Sequence, residues 1–287
     1  MRYKSNLILL TVAIIWGLSF VTQGIAAKYQ LAFLFNGVCF ILASIALIPF
    51  FPKGRKLAGG EWKWIVISGG VLFIASALQQ VGIYYTKIAN AGFLTSLYVV
   101  FTPFLLWIGF KEKPHWMDGL AVIGASIGAF FLSTAGIMKI QPGDMLELIG
   151  AVFWGLHVVI IGKYASKYEP ITFASGHFLV TGMINLAIGL FVEKAGQLIL
   201  IPVLGAILYR AIIAIGIGYT LQIWGQRHTS STEAALILGL ESVFAVIGGW
   251  IFLKQTLLPI QIIGCIIILI SVLFSQMKGK LHVSQFG

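Results

Sequence analysis

Residues 78–111, LQQVGIYYTKIANAGFLTSLYVVFTPFLLWIGFK, recur 143 residues later as residues 221–254, LQIWGQRHTSSTEAALILGLESVFAVIGGWIFLK. Eleven of the 34 aligned positions are identical, which indicates an internal repeat. A shorter match at an offset of 138 places Trp16-Gly17-Leu18 over Trp154-Gly155-Leu156. We therefore predict two related halves, residues 1–139 and 140–287, and we expect the functional site where they meet.

The composition is typical of a membrane protein. Hydrophobic residues make up 59% of the chain and charged residues 10%, with a mean hydropathy of +0.98. Soluble domains carry about 25% charged residues, so we predict an all-α integral membrane protein embedded in a lipid bilayer. The net charge of +10 comes from lysines and arginines scattered singly between apolar runs. That pattern is typical of topology signals, so no nucleic-acid partner is expected.

Ten apolar runs have the length expected of transmembrane helices. Their connections are short, and only residues 52–61 form a longer polar loop. We number the predicted spans 1 to 10 in chain order, and they cover residues 6–24, 31–51, 62–84, 90–110, 116–136, 144–163, 171–192, 203–226, 232–253 and 257–276.

The lysines and arginines predict the orientation of these spans. With a cytoplasmic N-terminus, the inner segments hold thirteen of them and the outer loops five. The positive-inside rule therefore places both termini in the cytoplasm and the protein in the cell (inner or plasma) membrane. Because each half has five spans, the second copy runs upside down relative to the first. Inverted repeats are typical of secondary transporters that work by alternating access, with the substrate site between the copies.

The stretch at residues 75–105, the Trp-Gly pairs in spans 1 and 6 and the similar length of the halves resemble the EamA-type transporters of the drug/metabolite transporter superfamily. The resemblance covers essentially the whole chain. It implies ten helices around a cavity lined mainly by spans 1, 3, 4, 6, 8 and 9, and export of amino acids or other small metabolites. The chain departs from the family pattern at Asn36, where many relatives carry arginine, at Ser242, where many carry proline, and at Gln255, where glutamate is common. These departures weaken any transfer of the family's rules for ion coupling and substrate charge.

Ionisable groups deep in a span indicate a cavity or a partner, because burying them in lipid costs at least a few kcal/mol. Glu241 lies eight residues beyond Glu233, about 12 Å into span 9, where it either couples protons, contacts a substrate amine or bonds a neighbouring helix. Arg210 lies about 10 Å into span 8. It either faces the cavity, to pair with Glu241 or to receive a substrate carboxylate, or it snorkels to the headgroups. His157 either shuttles protons or packs as a neutral, hydrogen-bonded residue.

Repeat mates supply the other candidates for the substrate cavity. Gln79 and Gln222 are mates, and they bond either a substrate or a neighbouring helix. Tyr98 is the mate of Glu241. The complete set of residues that we predict to line the cavity is Trp16, Ser19, Gln79, Tyr98, Trp154, His157, Arg210, Gln222 and Glu241.

Three further features concern packing and movement. Pro103 removes a backbone hydrogen bond in the middle of span 4 and is predicted to be a hinge. Gly124 and Gly128 form a strip of small residues on span 5, for which tight packing is expected, with a homodimer interface as one candidate. Glu147 starts span 6, where an acid at a gate and an exposed acid at a helix end are both compatible with the sequence, and the position favours the exposed one.

The sequence contains no paired-carboxylate metal motif, no glycine-rich phosphate loop and no cluster of cysteine and histidine. We therefore predict no catalytic residue, no metal and no cofactor. Cys39 and Cys265 lie in apolar runs and are expected to be packing residues.

The favoured function is a secondary transporter, an exporter of small metabolites such as amino acids or related compounds. Proton coupling by buried ionisable groups is part of this hypothesis. A flippase or carrier for a larger lipid-linked or sugar-nucleotide substrate is the alternative within transport, and it predicts a wide basic cavity. A membrane enzyme or non-transporting scaffold predicts acids grouped at one membrane face, whereas the nine acids of this chain are dispersed.

Overall fold

The computed structural model describes residues 2–54, 56–86, 88–134, 141–194, 201–253 and 258–283, and within these ranges the chain is helical without a β-strand. A π-helix, Tyr209–Tyr219, lies between α9 and α10. The α-helices are, in chain order, α1 (Arg2–Lys28), α2 (Phe33–Leu47), α3 (Glu61–Tyr85), α4 (Ile88–Ser96), α5 (Tyr98–Phe110), α6 (Trp116–Thr134), α7 (Asp144–Lys163), α8 (Pro170–Val192), α9 (Ile201–Leu208), α10 (Thr220–Gly225), α11 (Ser231–Leu238), α12 (Glu241–Leu253) and α13 (Pro259–Val283).

The helices confirm the predicted membrane fold. Two shorter apolar helices match spans 5 and 10, whose predicted ends at 136 and 257 lie outside the described residues, as does the predicted boundary at 139/140. Span 9 is divided between α11 and α12, so the count of ten spans stays a prediction. Seven segments in the described residues are long and apolar enough to cross a bilayer and match spans 1–4 and 6–8: Tyr3–Lys28, Phe33–Phe50, Glu61–Tyr85, Ala91–Phe110, Asp144–Lys167, Pro170–Val192 and Val203–Gly225.

The predicted spans 4 and 9 are each divided at the same position of the repeat. Leu97 lies between α4 and α5, and its mate Leu240, with Gly239, lies between α11 and α12. At both places the backbone tightens: Val100 N donates to Leu97 O at 2.8 Å, and Val243 N donates to Leu240 O at 3.0 Å. Such bonds between residues i and i+3 belong to a 3₁₀ turn. The interruption is therefore a property of the repeat.

The predicted hinge does not coincide with this interruption. Pro103 lies inside α5, six residues beyond Leu97, and the helix continues through it. The second copy is interrupted at Leu240 although Val246 stands where the first copy has proline. The interruption therefore does not depend on Pro103, whose role as a hinge stays a prediction.

Repeat mates pack in opposite directions, as an inverted duplication requires. Leu34 near the start of α2 lies against Gly189 near the end of α8. At the other ends of the same helices, Ser44 Oγ donates to Ser175 O at 2.8 Å. These two helices correspond to spans 2 and 7, so the two copies are inverted relative to each other.

The strip of small residues on α6 packs inside the chain. Gly124 lies against Ser271 on α13, and Gly128 lies against the backbone of Gly264. α13 therefore covers this strip, which confirms the tight packing, and a homodimer stays a prediction. The later glycine on α6 contacts the earlier residue on α13, so these two helices are antiparallel. They correspond to spans 5 and 10, which are repeat mates.

The symmetry extends to single backbone contacts. Gly17 on α1 lies against Phe244 on α12, and its mate Gly155 on α7 lies against Phe101 on α5. Phe101 and Phe244 are themselves mates. A Cβ at Gly17 would lie 2.6 Å from the Cβ of Phe244, so glycine permits a helix contact that a side chain would block.

The symmetry also includes a polar contact at each end of the bundle. Thr86 Oγ1 donates to Asp144 Oδ1 at 2.5 Å. Its mate Thr229 Oγ1 donates to Asn6 Oδ1 at 2.9 Å. Asn6 and Asp144 are mates in the offset of 138, so the two halves make the same hydrogen bond with an amide in one copy and a carboxylate in the other.

The same substitution at two glycines of α6 tests the close contact with α13. A Cβ at Gly128 would lie 2.7 Å from Gly264 O, whereas a Cβ at Gly119 meets no atom within 4 Å. We expect Gly128→Ala to destabilise the fold by about 1–3 kcal/mol through overpacking. Gly119→Ala is expected to stabilise it by about 0.5–1 kcal/mol because alanine loses less backbone entropy in a helix. Thermal unfolding in detergent measures both effects. Equal shifts of the unfolding temperature with the same sign for the two variants would contradict the packing.

Candidate substrate cavity

One cavity lies between the two copies, and all nine residues predicted from the sequence line it. They come from α1, α3, α5, α7, the π-helix, α10 and α12. The spans involved are 1, 3, 4, 6, 8 and 9, the set that the family resemblance implies. The lining consists of Trp16, Ser19, Gln79, Tyr98, Trp154, His157, Arg210, Gln222 and Glu241, together with Phe20, Gln23, Thr95, Val158, Ala214, Ile215 and Tyr219, which the sequence interpretation did not include.

The cavity is narrow. About 40 Å³ of its volume is wide enough for water. One water needs roughly 10–15 Å³ of such volume, so the present arrangement has room for a few waters. A metabolite requires the helices around the cavity to separate.

Arg210 faces the cavity, so the alternative of snorkelling to the headgroups is wrong. Its side chain is 4% exposed. The guanidinium donates to Ser19 Oγ and to Asn36 Oδ1, both at 3.3 Å, and lies 5.6 Å from the centre of the Phe35 ring. Its Nε has no hydrogen-bond partner. The arginine is thus held by neutral groups and keeps a donor for an anionic ligand.

Glu241 is buried at the first turn of α12, beside the interruption of span 9. The hydroxyl of its mate Tyr98 lies near the Glu241 carboxyl, but without a hydrogen bond of ordinary geometry. A pairing of Arg210 with Glu241, one of the alternatives that the sequence left open, is absent from the hydrogen bonds and ion pairs of the described residues. The acid and the base therefore line the same cavity while both remain available to a ligand.

The π-helix places aromatic groups at the centre of the cavity. Trp16 Nε1 donates to Ala214 O at 2.8 Å, and Gly218 leaves room for the indole. Tyr219 lies 4.6 Å from Trp16 and 5.7 Å from His157, measured between ring centres. π-Helical segments are frequent at functional sites. Tyr219 precedes Gln222 by three residues, and this spacing on one helix face was the signal that could have found it.

His157 is buried, and neither of its ring nitrogens has a hydrogen-bond partner among the described residues. It lies 5.8 Å from the ring of His177, whose Nδ1 is in hydrogen-bond contact with Phe173 O at 3.1 Å. His157 is thus packed among rings without a hydrogen bond to the described residues, and its role in proton transfer stays a prediction. No group of three or more potential metal ligands occurs in the described part of the chain.

The glutamines behave differently in the two halves. Gln79 Nε2 donates to Thr95 Oγ1 at 3.0 Å. Both polar atoms of its mate Gln222 are buried without a partner. Buried amides normally have hydrogen bonds, so Gln222 offers a donor and an acceptor to a ligand. Thr95 precedes Tyr98 by three residues, which again is the spacing that could have indicated it.

Glu147 is fully buried, so the expectation of an exposed acid at a helix end is wrong. Thr95 Oγ1 donates to Glu147 Oε2 at 3.1 Å. The carboxyl lies against the backbone of Gly82 on α3. Burial of this acid depends on a glycine far away in sequence, and the pattern of span 6 alone does not reveal it.

A cavity between two inverted helical repeats is typical of membrane transporters. The chain belongs to the EamA-like transporter family, whose model matches residues 4–134 and 141–277. It is 32% identical over 277 residues to an uncharacterized transporter of Archaeoglobus fulgidus, with 96% of this chain and 87% of the relative covered. It is 24% identical over 231 residues to the threonine/homoserine exporter RhtA of Escherichia coli, with 78% and 74% covered.

The fold is also found in a solved crystal structure. The two chains superimpose with a TM-score of 0.81 at 15% sequence identity, with 98% of this chain and 99% of the other covered. At this identity the likeness concerns the fold alone. It supports the helical arrangement described above.

A double-mutant cycle tests the hydrogen bond between the Arg210 guanidinium and the Asn36 side chain. Asn36→Leu leaves a buried guanidinium donor unsatisfied, at an expected cost of about 1–3 kcal/mol. In the Arg210→Leu background that cost should largely vanish, which corresponds to a coupling of about 0.5–3 kcal/mol. The control is Asn185→Leu, because Asn185 donates to Thr181 O within α8. The free-energy changes of Asn185→Leu and Arg210→Leu should therefore be additive. Unfolding in detergent provides the measurement, and additivity at Asn36 would contradict the contact.

Proposed function

We propose that this chain is a secondary transporter that exports small metabolites, such as amino acids or related compounds, by alternating access. The name of the relative RhtA supports the substrate class, since that protein is a threonine/homoserine exporter. The predicted setting is the inner or plasma membrane with both termini in the cytoplasm.

The single observation that carries the proposal is that one cavity contains an acid and a base, Glu241 and Arg210, that do not form an ion pair with each other. Arg210 is held by the neutral groups of Ser19 and Asn36, and Glu241 is buried beside Tyr98. Burying either charge without a partner is costly. An amino acid brings a carboxylate for the guanidinium and an ammonium group for the carboxylate, so its binding offsets both costs.

The cavity also has the groups that would orient such a ligand. Gln222 has an unpaired donor and acceptor, and the indole NH of Trp154 and the hydroxyl of Tyr98 have no partner. The rings of Trp16 and Tyr219 provide apolar contact. Few precisely placed polar groups among aromatic rings are typical of small-molecule sites.

Alternating access would use the symmetric contacts between the copies. The contacts of Gly17 and Gly155 are related by the repeat, so the two copies can exchange conformations without new kinds of contact. The narrow cavity fits a state in which the helices have closed around the midplane. Opening toward either side would widen it for a ligand of amino-acid size.

Proton coupling is part of the proposal, with Glu241 as the group that contacts the substrate. A carboxylate without a cation partner is unfavourable in this cavity. Protonation in the absence of substrate would remove that cost, so proton release and binding of a substrate amine would be linked at the same side chain. The narrow cavity with one arginine among its lining residues favours a small substrate over a lipid-linked or sugar-nucleotide substrate.

Transport by the purified protein tests the proposal. Proteoliposomes are supplied with a panel of amino acids that includes threonine and homoserine, with and without a pH gradient. We expect saturable movement of at least one solute and a dependence of its accumulation on the gradient. Absence of flux for the whole panel would contradict the proposed function.

Substitutions at the two charges test the binding geometry. Arg210→Ala and Glu241→Gln each remove a charge-assisted hydrogen bond worth about 1.5–3 kcal/mol, so KM should rise about 10- to 100-fold. The matched control is Glu112→Gln, because Glu112 is 51% exposed and pairs with Lys163 outside the cavity. An exposed pair contributes little. Unchanged affinity, rate and pH dependence in both cavity variants would remove Arg210 and Glu241 from the mechanism.

A further inference from the structure

Glu147 is a buried carboxyl that the proposed substrate contacts do not use. It lies in α7, near the end of the bundle that the lysines and arginines predict to be outer. Its side chain is 0% exposed, and its Oε1 has no hydrogen-bond partner. The neutral, protonated form fits this environment without the cost of burying an unpaired charge.

A chain of hydrogen bonds joins this carboxyl to the cavity. Gln79 Nε2 donates to Thr95 Oγ1 at 3.0 Å, and Thr95 Oγ1 donates to Glu147 Oε2 at 3.1 Å. Gln79 and Thr95 both line the cavity. An ionised carboxylate only accepts hydrogen bonds, whereas a protonated carboxyl also donates one. A proton on Oε2 reverses the bond to Thr95, so protonation of Glu147 provides a way to turn the Thr95 hydroxyl.

The other copy shows that packing does not require an acid here. Leu9 is the mate of Glu147, and Gly225 is the mate of Gly82. Leu9 lies against Gly225 as Glu147 lies against Gly82. The same site between two helices is thus filled by an apolar side chain in one half and by a carboxyl in the other. The fold accepts leucine, so the carboxyl of Glu147 has a role beyond packing.

Among the residues that the structure describes, one other titratable group faces Glu147. Asp144, one turn earlier on α7, faces it, and the Asp144 carboxylate is satisfied by Thr86 Oγ1 and by the Gln141 amide. The helices α5 and α11 meet α7 further along, at Gly155 and Gly162. Among the described residues of α3 and α4, Gly82 and Thr95 contact Glu147, and Gln79 bonds Thr95; none of the three carries a charge.

The start of a helix favours an acid, but that explanation is insufficient for Glu147. The helix dipole contributes much less than the burial of an unpaired charge costs. Asp144 already occupies the first position of α7, where it accepts hydrogen bonds from Thr86 Oγ1 and the Gln141 amide. The dipole also gives no reason for the connection through Thr95 to the cavity.

We propose that Glu147 is a second proton-binding site of the transport cycle and that it acts on the cavity through Thr95 and Gln79. A proton from the aqueous phase converts the Glu147 carboxylate into a carboxylic acid. The new O–H donates to Thr95 Oγ1, and the Thr95 hydroxyl hydrogen turns toward a new acceptor. Proton binding at one end of the bundle would thereby change the hydrogen bonds offered to a ligand. This inference rests on the proposed transport function.

Transport assays with Glu147→Gln separate this role from a structural one. Glutamine is neutral and keeps a donor and an acceptor, so we expect the variant to exchange radiolabelled threonine, or the best-transported amino acid of the panel, across the membrane. We expect it to lose accumulation driven by a pH gradient and to lose the pH dependence of transport. Glu147→Leu, which copies Leu9 of the other half, should fold and show the same loss of gradient-driven accumulation.

The matched control is Asp144→Asn, because its mate Asn6 makes the equivalent hydrogen bond with Thr229. This control should keep gradient-driven accumulation. If both Glu147 variants accumulate substrate as the wild type does, the proton site is refuted while the transport function stands.

A second measurement does not depend on the substrate. Infrared difference spectra of wild type against Glu147→Gln, recorded from mildly acidic to mildly alkaline pH, should contain a protonated-carboxyl band that titrates. If the wild type moves no solute, the proposed function fails, and the infrared band alone decides whether Glu147 binds a proton. A carboxylate signal unchanged across the pH range would overturn the inference.

Discussion

Close backbone contact between helices of opposite copies is the constraint on which the rest of the structure depends. In a membrane the hydrophobic effect does not drive helix association, so van der Waals contact and hydrogen bonds must do so. At Gly17, Gly128 and Gly155 a single Cβ would press on a neighbouring helix. The contacts of Gly17 and Gly155 are related by the repeat, and the mates α2 and α8 are antiparallel. These contacts hold the two copies together.

Polar groups inside the bundle are placed around that interface and away from lipid. Arg210 and Glu241 are both nearly inaccessible to solvent and both line the cavity between the copies. Neutral groups of Ser19 and Asn36 hold the guanidinium, so its charge stays available. If Arg210 were paired with Glu241, the cavity would be closed by its own charges. The separation of acid and base is what makes the interface suitable for a ligand that carries both charges.

Much of the cavity could be predicted because the repeat reveals it. The alignment pairs Gln79 with Gln222 and Tyr98 with Glu241, and helical spacing places the other candidates on the same helix faces. The nine predicted residues line one cavity. The π-helix that positions Tyr219 could not be predicted, since hydrophobic pattern does not encode a change in backbone hydrogen bonding. The burial of Glu147 depends on Gly82, 65 residues earlier, and the helix end alone suggests exposure. Local pattern therefore predicts which face a residue occupies, while contacts between distant helices decide whether it is buried.

The differences between the copies matter as much as their likeness. A perfectly symmetric transporter would have equal energies when open to either side, because exchange of the copies would restore the same molecule. Here Glu241 stands opposite Tyr98 and Glu147 opposite Leu9. Each pair places an ionisable group in one copy where its mate is neutral or apolar. Under the proposed alternating access, protons and substrate charge would therefore act unequally on the two open states, and the unmatched carboxyls would favour one of them.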